Sequence, residues 1–98
     1  MIAESMEKIS GGKLLRVRID FDKKINNVQI IGDFFAHPED CIGLIEEKFI
    51  DLPLDFENES QIKLLNEFIL ENNYQIIGFS IENLIELIKR ALEKWDGE

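Results

Sequence analysis

His37 and Cys41 are the side chains best suited to acid–base or nucleophilic chemistry, and the sequence has one residue of each type. A catalytic triad would need the histidine beside a nucleophile and a carboxylate, and no nucleophile elbow or comparable local signal is present. His37 directly precedes Pro38, which favours a helix cap or a surface position. Cys41 falls one turn into a predicted helix, where a buried and unreactive thiol is the usual outcome. We therefore expect no catalytic residue and no metal site in this chain.

Two glycine-led segments are better suited to binding. Lys13 follows Gly11 and Gly12, where its ammonium could stand at a point of close approach or be a solvated lysine at a strand edge. Asp33 follows Gly32, where its carboxylate could bond nearby backbone N–H groups or a partner's Lys or Arg. The residue types favour the solvated lysine and the local bond of Asp33, and contact with a partner is the alternative for each.

Two adjacent aromatic residues, Phe34 and Phe35, complete the second segment. They cannot both point inward if the strand continues, because neighbouring side chains of a strand alternate. One ring is expected to pack under the first helix, and the other to belong to an exposed apolar patch typical of a protein interface. The candidates for a partner interface or for activation of a partner are Gly12, Lys13, Gly32, Asp33, Phe34 and Phe35.

Strands must position both segments. Apolar residues alternate with polar ones over 15–21, which is the period of a half-buried strand. Val28 and Ile30 continue the inward face in the next strand, after a bulge or tight turn at 25–27. The two glycines before Lys13 suit a hairpin from an earlier strand over 5–9. The pattern predicts a small antiparallel meander of two to three strands.

Three helices are predicted after the strands. Pro38 suits the first turn of the first helix, which would end before Pro53. Asn58 and Ser60 are candidate caps of the second helix, and Ser80 caps the third, whose apolar stripe runs to Trp95. Because strands come first and helices follow, the fold class is α+β.

Length and composition restrict the possible functions. The 98 residues suffice for one domain, residues 1–98, and 45% of them are hydrophobic. A formal net charge of −9 argues against nucleic-acid binding, which needs clustered Lys and Arg. No leader peptide and no apolar run of membrane-spanning length is evident, so a cytoplasmic location without membrane contact is expected.

The chain resembles the C-terminal accessory domain of lipoate-protein ligases, which in some archaea and bacteria is a separate short chain. The resemblance rests on 12–14, on apolar residues over 25–30, and most specifically on Gly32-Asp33-Phe34-Phe35 with Pro38-Glu39. It implies ATP-dependent activation of lipoate to lipoyl-AMP, followed by transfer to a lysine of a lipoyl domain. The large catalytic core of that family is absent here, so the resemblance implies an accessory chain that is not catalytic alone.

The same resemblance implies the partners and ligands. The direct partner would be the catalytic subunit, and lipoyl-domain acceptor proteins would be met indirectly. Lipoate, ATP and Mg would belong to the complex, with no cofactor bound by this chain alone.

Two other functions remain as alternatives. The hairpin and following helix also resemble the fold of iron–sulfur scaffold proteins, but those hold a cluster with several thiolates and Cys41 is alone here. A non-catalytic homodimeric interaction module is the third possibility.

Overall fold

A computed structural model describes residues 1–9, 11 and 13–94 of the chain. Within these residues the structure has a three-stranded sheet, a two-stranded sheet and three helices. The elements in chain order are β1 (Ile2–Ile9), β2 (Lys13–Phe21), β3 (Ile25–Gly32), β4 (Phe35–His37), α1 (Cys41–Glu47), α2 (Asn58–Glu71), β5 (Gln75–Ile77) and α3 (Ile81–Lys94). The predicted α+β class is confirmed.

The three-stranded sheet is the predicted antiparallel meander, in the order β1-β2-β3. β1 pairs with β2 from Ile2, opposite Asp20, to Ile9, opposite Lys13, so it is longer than the segment 5–9 that the sequence indicated. The register of β3 shifts beside the end of β2, since Asp20 faces Asn27 while Phe21 faces Ile25. The residue between them is the bulge expected at 25–27.

One face of this sheet is covered by helices. α3 packs against β1 and β2, α1 packs against β3, and the buried apolar side chains form one cluster between the layers. The opposite face, which we call the open face, consists of side chains that remain exposed or half-buried. Its principal members are Ile2, Glu4, Met6, Arg16, Arg18 and Ile31.

The third helix begins as predicted, and the second does not. The N–H of Asn83 donates to Ser80 Oγ at 3.0 Å, and the N–H of Ser80 donates to Asn83 Oδ1 at 3.1 Å. In α2 the N-cap residue is Glu57, and no side chain caps the helix there. The Ser60 hydroxyl donates a hydrogen bond to the Glu57 carboxylate.

The predicted stripe of α3 is buried at Ile81, Leu84, Ile85 and Ile88, while Trp95 lies outside the described residues. No helix within the described ranges combines the length and the apolar character needed to cross a bilayer.

A two-stranded antiparallel ribbon, β4 with β5, was not predicted. The sequence placed the start of the first helix at Pro38, whereas α1 begins at Cys41 with Asp40 as its N-cap residue. Residues 35–37 are extended because they pair with 75–77, a segment predicted only as an apolar bridge. Pro38 lies in the connecting turn, where its carbonyl accepts the N–H of Cys41 at 3.0 Å. A pairing between segments so far apart leaves no local pattern.

Candidate partner-binding site

The two glycine-led segments of the sequence meet at one end of the three-stranded sheet. Gly32 lies opposite Leu15, and a Cβ atom at Gly32 would stand 2.1 Å from the carbonyl oxygen of Leu14. The same oxygen accepts the backbone N–H of Asp33 at 2.9 Å. Glycine is required at position 32 because the backbone of β2 occupies the space of any side chain. The segment 32–35 is thereby fixed beside the strand that begins at Lys13.

A second glycine, Gly78, holds the same segment from β5. Its φ is +124°, and an added Cβ would lie 2.8 Å from Phe34 Cβ and 3.2 Å from the carbonyl oxygen of Asp33. Asp33 therefore contacts backbone at both Leu14 and Gly78, and Phe34 packs closely against Gly78. The sequence showed Gly78 as a turn residue, but its contact with the aromatic pair has no local signal.

The aromatic pair divides as the alternation predicts. Phe34 is half-buried and meets Phe79 edge to face, with ring centroids 5.1 Å apart and an interplanar angle of 82°. Phe35 is 57% exposed. Packing of the inward ring under the first helix stays a prediction. The aromatic neighbour of that ring, Phe79, precedes α3 and was not predicted. Its distance along the chain explains why sequence reasoning missed it.

Phe35 and Ile77 form an exposed apolar pair, which we call the ribbon patch. They face each other across β4 and β5, with exposed fractions of 57% and 63%. Beside β5 lies an open cleft of about 460 Å³, whose lining includes Ile69, Tyr74 and Ile76 as well as Ile77. Apolar surface therefore continues from the ribbon patch into the cleft, and an isolated exposed side chain would not do this.

Lys13 and Asp33 are both exposed at this end of the sheet. Within residues 1–9, 11 and 13–94, neither side chain forms a hydrogen bond or an ion pair. The local bond expected for the Asp33 carboxylate is thus not seen in this part of the chain, where the backbone N–H of Asp33 makes the anchoring contact instead. Gly12 lies outside the described residues. Both charges are oriented to solvent and available to a partner.

Cys41 and His37 occupy the buried and the surface position that the sequence favoured for them. Cys41 is fully buried, and its pKa is raised chiefly by burial and secondarily by the charge of Asp40. Its thiol therefore stays protonated near neutral pH. His37 is exposed on the ribbon opposite Gln75. Among the described residues, no three His, Cys, Asp or Glu side chains are grouped so as to hold a metal ion.

Sequence reasoning missed Glu46, which covers the edge of β3 just before the candidate segment. Its carboxylate accepts the backbone N–H of Ile30 at 2.7 Å. Burial raises the pKa of Glu46, and the hydrogen bond from Ile30 opposes this shift. A helical glutamate that completes the hydrogen bonding of a distant strand has no signature in the sequence.

Comparison with known proteins relates this geometry to a class of protein. No family model matches the chain. Its fold is similar to a solved chain of an archaeal lipoylation system, a bipartite lipoate protein ligase and its E2 lipoyl domain from Thermoplasma acidophilum. The TM-score is 0.70 at 26% sequence identity, covering 90% of this chain and 94% of that one.

A curated protein of the same organism gives the sequence counterpart. Lipoate-protein ligase A subunit 2 of Thermoplasma acidophilum is 40% identical over 58 residues, which cover 50% of this chain. The match spans 62% of that relative, somewhat less than two thirds of its length. The resemblance to the accessory chains of lipoate-protein ligases is confirmed by both comparisons.

Proposed function

We propose that this chain is the accessory subunit of a two-chain lipoate-protein ligase. The observation that carries the proposal is the similarity of fold over 94% of a chain from a bipartite ligase. The sequence similarity to a ligase subunit of the same organism as that ligase agrees with it.

The site supports a role in a complex. Lys13 and Asp33 are exposed at one end of the three-stranded sheet, and their charged groups form no ion pair within residues 1–9, 11 and 13–94. Phe35, two residues after Asp33, is also exposed. Cys41 is fully buried and its pKa is raised by burial, so its thiol is a poor nucleophile. Such a surface is suited to contact with another protein.

In the proposed complex, a carboxylate oxygen of lipoate attacks the α-phosphorus of ATP, and pyrophosphate leaves. The amine of an acceptor lysine then attacks the acyl carbon of lipoyl-AMP, and AMP leaves. We assign lipoate, ATP and Mg²⁺ to the complex and place no site for them on this chain. Lys13 is proposed to favour the conformation of the catalytic subunit that binds the ATP phosphates, through direct contact with phosphate or through a partner loop.

The resemblance of the fold to that of iron–sulfur scaffold proteins stays a prediction. Function as a cluster scaffold is disfavoured because the chain has one cysteine, and this thiol is fully buried and protonated.

The function is tested by lipoate-dependent ATP–pyrophosphate exchange, measured for this chain, for the large chain of the same organism, and for their mixture. We expect exchange from the mixture only, because activation of lipoate then requires both chains. Exchange by the isolated small chain would show that it is itself catalytic. A large chain that is fully active alone would remove the need for an accessory subunit.

A further inference from the structure

We propose that the ribbon patch and the cleft beside it are the surface that binds the catalytic subunit, and that the partner offers an apolar pocket rimmed by Lys or Arg. This inference rests on the function proposed above and adds to it the location and the chemistry of the interface. The open face of the three-stranded sheet is the competing location.

The apolar part of the surface has the character of an interface. Phe35 and Ile77 are adjacent, and each exposes more than half of its side chain. Ile77 also lines the cleft with Tyr74 and Ile69, so a partner side chain that covers the ribbon patch can enter the cleft next to it. Aromatic anchors beside a concave surface are typical of the residues that dominate binding energy.

Charge around the ribbon patch specifies the partner. Residues 33–47 and 64–88 contain no Lys or Arg. The segment around Phe35 carries the acidic residues Asp33, Glu39 and Asp40. A fourth acidic residue, Glu82, lines the cleft. None of these four carboxylates takes part in an ion pair within the described residues, and residues 10, 12 and 95–98 include no Lys or Arg. Lys13 lies at the same end of the sheet as Asp33, but acidic residues outnumber it around the ribbon patch. An acidic rim whose carboxylates form no ion pair in the described part of the chain is complementary to a basic rim on the partner.

The charge is also unevenly divided along the chain. Residues 1–32 carry six Lys or Arg against four Asp or Glu, whereas residues 33–98 carry five against sixteen. A partner with a basic surface is therefore drawn to residues 33–98, which contain the ribbon.

The ribbon is held rigidly enough to act as a preformed surface. Gly32 and Gly78 permit backbone contacts on either side of Asp33 and Phe34, and the Phe34 ring packs against Phe79. A preorganised surface loses less conformational entropy on binding. The two glycines and the Phe34 ring thus fix the backbone that exposes Phe35.

A second copy of this chain is a poor occupant of the same surface. Two ribbon patches in contact would bring two acidic rims together, on chains that each carry a net charge of −9. Like-charge contacts of this kind oppose association. The acidic rim therefore favours a basic partner over self-association.

The test compares Ile77→Ser with Met6→Ser by calorimetric titration of each variant into the purified catalytic subunit. The two side chains are matched, because both are 63% exposed and Met6 lies on the open face. We expect Ile77→Ser to raise Kd about tenfold or more and Met6→Ser to change it less than about twofold. Circular dichroism and thermal unfolding establish that both variants are folded.

The possible outcomes separate this inference from the proposed function. Equal Kd values for the two variants, with a wild-type chain that stimulates exchange, overturn the docking surface and leave the function standing. A wild-type chain that does not bind the catalytic subunit overturns both. A homodimer in sedimentation that Ile77→Ser dissociates would assign the surface to a second copy and contradict the proposal.

A second variant tests the charge. This variant combines the three substitutions Asp33→Asn, Glu39→Gln and Glu82→Gln. It should associate more slowly, and its Kd should increase less with NaCl, because the acidic rim would no longer attract a basic one. A Kd that is independent of NaCl for the wild-type chain would contradict the basic partner.

Discussion

The open face and the ribbon patch expose apolar side chains in opposite ways. On the open face, Met6 and Ile31 lie in one cross-strand row and are separated by Arg16. Arg16 and Arg18 both reach the Glu4 carboxylate, at 2.9 and 3.7 Å. Both arginines are thus paired within the sheet, and the apolar side chains of Met6 and Ile31 are kept apart.

The ribbon patch has the reverse arrangement. Phe35 and Ile77 are in direct cross-strand opposition, and no arginine separates them. The carboxylates of Asp33 and Glu82 form no ion pair in the part of the chain that the structure describes. The fraction of a side chain that is exposed therefore does not identify an interface; the grouping of apolar side chains and the pairing of charges do.

The largest expected effect concerns the anchoring of the ribbon. Gly32→Ala should lower the free energy of unfolding by about 3 kcal/mol or more, because the new Cβ meets the backbone of β2. Gly43→Ala is the control, since a Cβ at Gly43 meets no atom within 4 Å and alanine favours the helix by up to about 1 kcal/mol. Urea unfolding of both variants measures the difference. Equal stabilities would mean that position 32 does not hold the segment.

The aromatic pair gives the next largest effect. Phe34→Ala should cost about 1–3 kcal/mol of stability, since the ring is half-buried against Phe79. Phe35→Ala should change stability by less than about 0.5 kcal/mol, yet weaken binding to the catalytic subunit by at least about 1 kcal/mol. Chemical denaturation and calorimetry separate the two quantities. Two variants that only destabilise the fold would remove Phe35 from the interface.

Local patterns of the sequence predicted the three-stranded sheet and the start of α3 well, and predicted the ribbon poorly. The alternation over 15–21 and the Ser80 cap of α3 are determined within a few residues, and both were found. The ribbon depends on pairing between Phe35 and Ile77, which lie on segments far apart in sequence. The Gly32 and Phe35 candidates came from residue type, whereas Ile77 and the cleft required the fold.

Glu46 tests the edge of β3 that leads into the ribbon. Glu46→Ala should cost about 1–3 kcal/mol at pH 7, because the Ile30 N–H loses its acceptor. Glu46→Gln keeps an acceptor oxygen and should be nearly neutral. Both stabilities are measured by denaturant unfolding, and a loss with glutamine equal to that with alanine would show that the amide cannot replace the carboxylate.

The pH dependence of the same site follows from the pKa of Glu46, which is raised above its ordinary value of 4.5 by burial. The folded protein binds this proton more tightly than the unfolded chain does. The contribution of protonated Glu46 to the stability of the fold is fully present below pH 4.5. This contribution is lost as the pH rises through the raised pKa. Wild type relative to Glu46→Gln should therefore be more stable at acid pH than at neutral pH, in parallel urea titrations. A difference independent of pH would contradict the shift.

The smallest effect on stability is expected at Lys13. Lys13→Ala should change the free energy of unfolding by less than about 0.5 kcal/mol, because an exposed lysine contributes little. The complex should activate lipoate more slowly, while transfer from preformed lipoyl-AMP stays nearly unchanged. Lys23→Ala, in the turn at the other end of β2, is the control. Equal activation rates would make Lys13 a solvated lysine at a strand edge.

The central claim is that this chain activates a catalytic subunit through the ribbon patch. Its most direct test is to titrate the catalytic subunit with wild-type chain, Phe35→Ser and Met6→Ser, and to follow lipoate-dependent ATP–pyrophosphate exchange. We predict that wild type and Met6→Ser give the same curve, while Phe35→Ser needs about tenfold more chain to reach the same plateau. No stimulation by the wild-type chain, or a shift with Met6→Ser in place of Phe35→Ser, would contradict the account.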